Sequence, residues 1–263
     1  MEVDAASTFF EWVYYIILTY WPLFLRGAGV TLLISLTGTI VGFGLGIIIG
    51  VIRTIPIDQN FNIIQKGLLK LINIILLAYI EVFRGTPMMV QAMVIFYGAA
   101  MVYNISLSPI YAGIFIVSIN TGAYMAEIVR GGIISIDKGQ FEAAHSIGMT
   151  HAQTMFSIVL PQAIRNILPA LSNEFVINIK DTSVLSVISV TELFFISKSA
   201  AGVNYRFFEV FLVTCTIYFI MTFTVTRILR YFEIKLEGPS VYTIHGSQTV
   251  PEAEIRITDR ERH

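Results

Sequence analysis

The sequence predicts an all-α integral membrane protein with five transmembrane helices, N-terminus outside and C-terminus cytoplasmic. Two kinds of observation carry this. The 263 residues are 55% hydrophobic and only 13% charged, with a mean hydropathy of +0.73. A soluble domain carries about 25% charge, and a chain of this length has too little core to hide so much apolar surface. The lysines and arginines, moreover, alternate in density between successive connections, as the positive-inside tendency requires. One cysteine, Cys215, excludes an intrachain disulfide and Cys-rich zinc or iron–sulfur sites built from this chain alone. The N-terminal stretch has no basic n-region, so a cleaved signal peptide is not expected.

Apolar runs lie near 9–25, 28–52, 67–83, 88–103, 109–129, 167–190 and 204–232. The first holds Trp12, Tyr14, Tyr15, Tyr20 and Trp21. Polar-tipped rings favour the headgroup level, so residues 1–26 are expected to form an outer-face interfacial segment ahead of a transmembrane domain over 27–236. The 28–52 run carries Gly38, Gly42, Gly46 and Gly50 on one helix face, the spacing of a close helix–helix seam.

Orientation follows from the basic residues. Twelve of the 17 lysines and arginines fall after the first crossing, in 130–165 or in the tail; three fall in the other connections; Arg84 and Lys180 lie in apolar surroundings. Arg53 and Arg130 are then both cytoplasmic, so an even number of crossings separates them. Three apolar runs intervene, and two must share a crossing. The candidates are 67–83 and 88–103, joined through Arg84-Gly85-Thr86-Pro87 without a polar loop. At about 1.5 Å per residue the joint segment far exceeds a hydrocarbon core of about 30 Å. Its first part is expected to run obliquely near the inner face and turn upward at 84–87. Residues 237–263, rich in charge with Gly238, Pro239 and Pro251, read as a mobile cytoplasmic tail.

Segment 135–163 is too polar to span and too patterned to be a linker. Phe141, Ala144 and Gly148 fall at i, i+3 and i+7, a narrow helical face, and Gly148 suits a helix end. A short helix on a cytoplasmic loop suits a docking knob for a partner protein. A helix lying on the lipid surface would want more basic residues than Lys138 supplies.

Charged and amide side chains in the apolar runs need partners or a wet path, because a charge at the bilayer centre costs about 2.5–3.5 kcal/mol even on the lenient insertion scale. Glu81 and Arg84 can pair at i, i+3, as can Glu127 and Arg130. Asn173, Glu174, Asn178, Lys180, Asp181, Thr182 and Ser183 form the richest group, with Asn120 and Thr121 on the neighbouring run. An amino-acid zwitterion needs donors for its carboxylate and acceptors for its ammonium. Arg84, Lys180 and the amides offer the first; Glu174 and Asp181 offer the second. Sequence leaves open whether Lys180 and Asp181 line a pathway or lock the bundle as an ion pair, and it favours a structural role for Arg84 at the bend.

Glu142-Ala143-Ala144, Gly148 and Ile158-Val159-Leu160-Pro161 together resemble the EAA loop of bacterial ABC importer permeases. Glu81–Pro87, Asn120–Glu127, Arg130-Gly131-Gly132-Ile133, Pro161-Gln162-Ala163, Asn173-Glu174-Phe175 and Lys180-Asp181-Thr182-Ser183 resemble the polar amino-acid branch of that family. The resemblance covers roughly residues 25–235. It implies a type I ABC importer permease-like fold in the bacterial cytoplasmic membrane, with Phe141, Glu142, Ala143, Ala144 and Gly148 gripped by a separate ATPase subunit. It also implies a second permease subunit and an extracytoplasmic substrate-binding protein or domain. Cystine, an opine or another amino-acid-like solute are alternative cargoes. The chain contains no Gly-Lys dipeptide and hence no GxxxxGK[ST] phosphate loop, so ATP and Mg are expected on the partner. No catalytic constellation, metal ligand set or nucleic-acid-binding pattern stands out. A stand-alone channel or ion-coupled carrier would predict repeated halves or pore rings, and no internal repeat is evident.

Overall fold

The computed structural model describes residues 8–56, 62–237, 243–245 and 254–256. Its helices are α1 Phe9–Arg53, α2 Ile63–Gly85, α3 Met88–Tyr103, α4 Pro109–Ile134, α5 Lys138–Ser146, α6 His151–Thr154, α7 Leu160–Asp181, α8 Leu193–Asn204 and α9 Phe207–Glu237. A π turn, Met155–Val159, leads from α6 into α7, and a 3₁₀ turn, Thr182–Ile188, follows α7. The expectation of a mobile tail falls outside the described residues, except that β1 (Thr243–His245) pairs antiparallel with β2 (Glu254–Arg256).

The glycine face of α1 meets α4 in strict register. A Cβ at Gly42 would stand 2.7 Å from Thr121 Cβ, and one at Gly50 would stand 2.7 Å from Val129 Cγ1. Gly38 faces Val117 and Gly46 faces Met125 in the same way. Each step of four on α1 matches a step of four on α4, so the two helices run parallel. Parallel neighbours cross the bilayer in the same direction, so the chain between them must cross once. This agrees with the parity argument from the basic residues.

That one crossing is shared by α2 and α3. Ile80 packs with Ala126 and Ile49, and the Tyr79 hydroxyl donates to the Ile119 carbonyl at 2.5 Å. Further along, Ala92, Ile95 and Phe96 join Ala112, Ile116 and Val117 around Ile34. The end of α2 and all of α3 therefore travel back along α4, while the beginning of α2 has few buried side chains. By length and composition α2 alone could cross a membrane. Its contacts with α4 place the bend at Gly85–Pro87 partway through.

Helix α7 runs antiparallel to α4. Asn178 reaches Thr121, whereas Gly132, later on α4, receives Ile167 from earlier on α7. Helix α9 runs parallel to α1, from the Phe9–Phe208 ring contact to the groove where Ile40 and Phe43 meet Leu229 and Phe232. Helices α7 and α8 are bent by 56° at their junction. Five passages follow: α1, α2–α3, α4, α7 with its continuation, and α9.

At the N-terminus the structure differs from the sequence expectation of a segment ending at 26. Helix α1 passes 26/27 without a break, and Pro22 lies inside it. Ile16 and Phe24 are buried against Leu193, Ala200, Ala201 and Val210, so residues 9–26 pack as one wall of the α8–α9 cluster. At 45 residues, about 68 Å, α1 is more than twice the hydrocarbon thickness, so the core holds only part of its length or holds it tilted.

Candidate functional site

Three regions carry polar chemistry. The first is the cytoplasmic loop. Asp137 caps α5, its carboxylate accepting from the Gly139 N–H at 2.6 Å. The far end closes as a Schellman motif, with Met149 N–H donating to the Ala144 carbonyl at 3.1 Å and Gly148 N–H to the His145 carbonyl at 3.0 Å. Gly148 takes φ +81, a left-handed conformation that favours glycine. Thr150 and Gln153 form a reciprocal capping box that starts α6 one residue later.

The predicted face divides in two. Ala144 is buried, and Phe141 packs on the cluster of Ile133, Ile136, Met155 and Val159, so this pair anchors α5. Glu142, Ala143 and Gly148 are exposed, joined by Ile147, which is 76% exposed. The sequence pattern put anchor and outward surface on one face; Ile147 belongs to the outward surface and was not singled out. His151 Nε2 is buried with no hydrogen-bond partner among the described residues. Burial, and secondarily the nearby His145, holds the His151 imidazole below its ordinary pKa.

The second region is a polar belt at mid-height. Asn178 is buried and donates to Thr39 Oγ1 at 2.8 Å and Thr121 Oγ1 at 2.9 Å, tying α7 to α1 and α4. Thr182 is also buried, its hydroxyl donating to the Ile179 carbonyl. These two candidate pathway residues are committed to packing. Glu174 is only 8% exposed, and among the described residues nothing forms a hydrogen bond or ion pair with its carboxylate. Ser183 is half-buried; Asn173, Lys180 and Asp181 are exposed. No ion pair joins Lys180 to Asp181 among the described residues, so the internal lock that the sequence left open does not form.

Asn120 is likewise structural in this arrangement. Its amide donates to Gln91 Oε1 at 2.9 Å and to the Phe83 carbonyl at 3.3 Å. Gln91 donates in turn to the Phe83 and Thr86 carbonyls, both at 2.9 Å, filling acceptors left open by the α2–α3 bend. Gln91 escaped the sequence reading; its signal was a lone amide within an otherwise apolar run. Arg84 does not pair with Glu81. Its guanidinium stands over the Tyr124 ring, 5.4 Å from the centroid, next to the bend as the structural reading of Arg84 required. Glu127 does pair with Arg130, at 3.0 Å, and also with Arg53, linking the cytoplasmic ends of α1 and α4.

A third polar knot was also unforeseen. Glu192, fully buried, caps α8 by accepting from the Phe194 and Phe195 N–H groups at 2.8 and 2.6 Å, and it accepts from the Tyr218 hydroxyl at 2.9 Å. A Thr-Glu pair just before an apolar run was the available signal for this cap.

A bundle of this topology, with an anchored cytoplasmic helix between its third and fourth crossings, is a transporter's membrane subunit. The chain belongs to the family of binding-protein-dependent transport system inner membrane components, which it matches over residues 42–238. It is 36% identical to the glutamine transport system permease protein GlnP of Escherichia coli, over 82% of this chain and 94% of that protein. It is 33% identical to the L-cystine transport system permease protein TcyB of Bacillus subtilis, over 83% and 88%. A solved amino acid ABC transporter with histidines superposes with a TM-score of 0.72 at 38% identity, covering 89% of this chain and 99% of that one. The protein is thus a multi-pass inner-membrane permease subunit of an amino-acid ABC importer, and the chain that hydrolyses ATP in such a system is a separate one.

Proposed function

We propose that the ATPase grips α5, that a second permease subunit and an extracytoplasmic binding protein complete the importer, and that the cargo is a zwitterionic polar amino acid. The observation that carries this is the anchored α5. Phe141 packs on the cluster where the end of α4 meets the π turn that leads into α7, and Ala144 is buried, while Glu142, Ala143, Ile147 and Gly148 face outward. A force applied there moves the two crossings together. ATP and Mg reside on the ATPase, whose differential affinity for two states of the bundle supplies the drive. Glu174 is the acceptor best placed for a substrate ammonium, being inside the membrane and uncommitted; Asp181 and the exposed Lys180 and Asn173 flank it along α7. The relatives named for glutamine and for cystine support the amino-acid class and leave the individual cargo open.

The test is co-purification of the full chain with its ATPase subunit. Gly148→Val is expected to weaken the association while the chain still inserts in the membrane. Undiminished association would remove the docking role from this loop.

A further inference from the structure

Helices α1, α7 and α9 leave a groove between them. Leu36, Ile40, Phe43, Leu171, Phe175 and Phe232 line it, and its volume is about 300 Å³. A smaller cup of about 190 Å³ adjoins it, sharing Ser172, Leu229 and Glu233 and adding Pro169, Thr226 and Arg230. The groove is hydrocarbon-like and the cup is polar. Asn178 fixes their depth, because its amide bonds Thr121 at the centre of α4 (Pro109–Ile134). Ser172 and Pro169 precede Asn178 by six and nine residues, about 9 and 13.5 Å toward the cytoplasm. Half a hydrocarbon core is about 15 Å, so the cup lies just beneath the inner headgroup layer, on the part of α9 where Arg227, Arg230 and Lys235 cluster. Phe43 follows Gly42, which faces Thr121, so the groove reaches mid-depth.

The cup's charges identify the occupant. Arg230 is exposed and Glu233 half-buried, three residues apart on α9. Among the described residues neither forms a hydrogen bond or ion pair, with the other or with anything else. The Ser172 hydroxyl is equally uncommitted among the described residues and lines the same cup. Hydrocarbon tails cannot satisfy these groups, and a helix packed over them would bury two separate charges. A phosphate accepts from a guanidinium, and a primary ammonium donates to a carboxylate. Both groups sit side by side on a phosphoethanolamine headgroup. A purely anionic headgroup would meet Glu233 with like charge, and a quaternary ammonium has no N–H to donate. We propose that cup and groove hold one inner-leaflet phospholipid with a phosphoethanolamine headgroup, its phosphate on Arg230, its ammonium on Glu233 and one acyl chain in the groove. The site depends on the membrane orientation alone and is independent of the docking loop and the cargo.

The test takes the full chain, purified with its ATPase subunit in mild detergent and stripped of loosely held lipid. The complex is offered phosphatidylethanolamine, phosphatidylglycerol or phosphatidylcholine, and native mass spectrometry reads what it retains. Phosphatidylethanolamine is expected to be held about tenfold more strongly than either of the others, the fold-change of one charge-assisted hydrogen bond. Glu233→Gln is expected to remove that preference, and Arg230→Ala to weaken retention of all three lipids about tenfold. Ile40→Trp places bulk in the groove from an exposed position on α1; it is expected to weaken retention while leaving the order of the headgroups unchanged. Equal retention of the three lipids by the parental complex, or a preference that survives Glu233→Gln, would reduce the bound lipid to a general solvating layer and overturn the proposal. Retention of none would mean that another protein surface covers the groove, and displacement of the lipid by a free polar amino acid would place the cup on the transport path; either result overturns it as well. The parental preference is read without any substitution, so a variant that fails to assemble with the ATPase leaves the test decisive.

Discussion

At Gly46 a single methyl group would overlap Met125, because the α1 and α4 backbones approach too closely for any Cβ on that face. Gly44, two residues away, has nothing within 4 Å of a built Cβ. Gly46→Ala is therefore expected to cost about 1–3 kcal/mol, the range for overpacking a tight seam. Gly44→Ala is expected to be neutral or mildly stabilising, since alanine favours helix by up to about 1 kcal/mol over glycine. Thermal unfolding of the two variants in the same detergent measures the contrast; equal losses would show that the seam is not the cause. Asn178→Leu removes both bonds that tie α7 to its neighbours. Intramembrane hydrogen bonds average about 0.6 kcal/mol, so a loss of about 1 kcal/mol in the same assay is expected. Glu174→Gln keeps the size of the side chain and removes its charge. Uptake or selectivity is expected to change while assembly with the ATPase does not; a loss of assembly alone would make Glu174 structural.

At the scale of elements, the α5–α6 loop is a rigid body made from local rules. An Asp cap, a Schellman glycine and a capping box fall within seventeen residues, from Asp137 to Gln153. All three signals are readable in sequence. What they could not convey is which side of α5 faces the membrane domain, since that depends on where α4 ends and α7 begins. His151 adds a pH dependence. Its folded pKa is held below the ordinary imidazole value, so the loosened loop binds a proton more readily than the packed one. The packing it contributes is full above about pH 6.5, the unperturbed histidine value, and declines as pH falls below it. Amide hydrogen exchange over 138–154, corrected for intrinsic rates, is expected to accelerate between pH 7.5 and 5.5. His151→Leu is expected to flatten that profile, and a profile unchanged by this replacement would assign the effect to another group. The α2–α3 bend shows the opposite case, where chain chemistry is plain and its purpose is not. Thr86-Pro87 announces a break, but only the fold shows Gln91 and Asn120 closing it onto α4.

For the whole molecule, direction is the governing quantity. Basic-residue counts and the parallel Gly–Val117, Gly–Thr121, Gly–Met125, Gly–Val129 register agree by independent routes that one crossing separates α1 from α4. Cysteines placed at Ile105, between α3 and α4, are expected to react with an impermeant reagent added outside intact cells. Cysteines at Ile147 are expected to react only after the membrane is opened. Reversed labelling would invert the topology.

Composition, charge asymmetry and the glycine and EAA-like spacings were enough to predict a five-crossing membrane subunit. Those properties depend on transfer free energy and helical periodicity, both local to the chain. Tertiary structure alone decided which intramembrane polar groups are consumed by packing. Asn178 shares a face of α7 with Glu174 and Asp181, Asn120 offers similar chemistry from α4, and nothing in a linear pattern separates them. The separation comes from neighbours 29 to 139 residues distant, Gln91 for Asn120 and Thr39 for Asn178. A buried amide joins whichever donors and acceptors the packed helices bring within reach. The same packing makes residues 9–26 the first part of α1, with Ile16 and Phe24 buried against α8 and α9 while Tyr14 and Trp21 stay exposed.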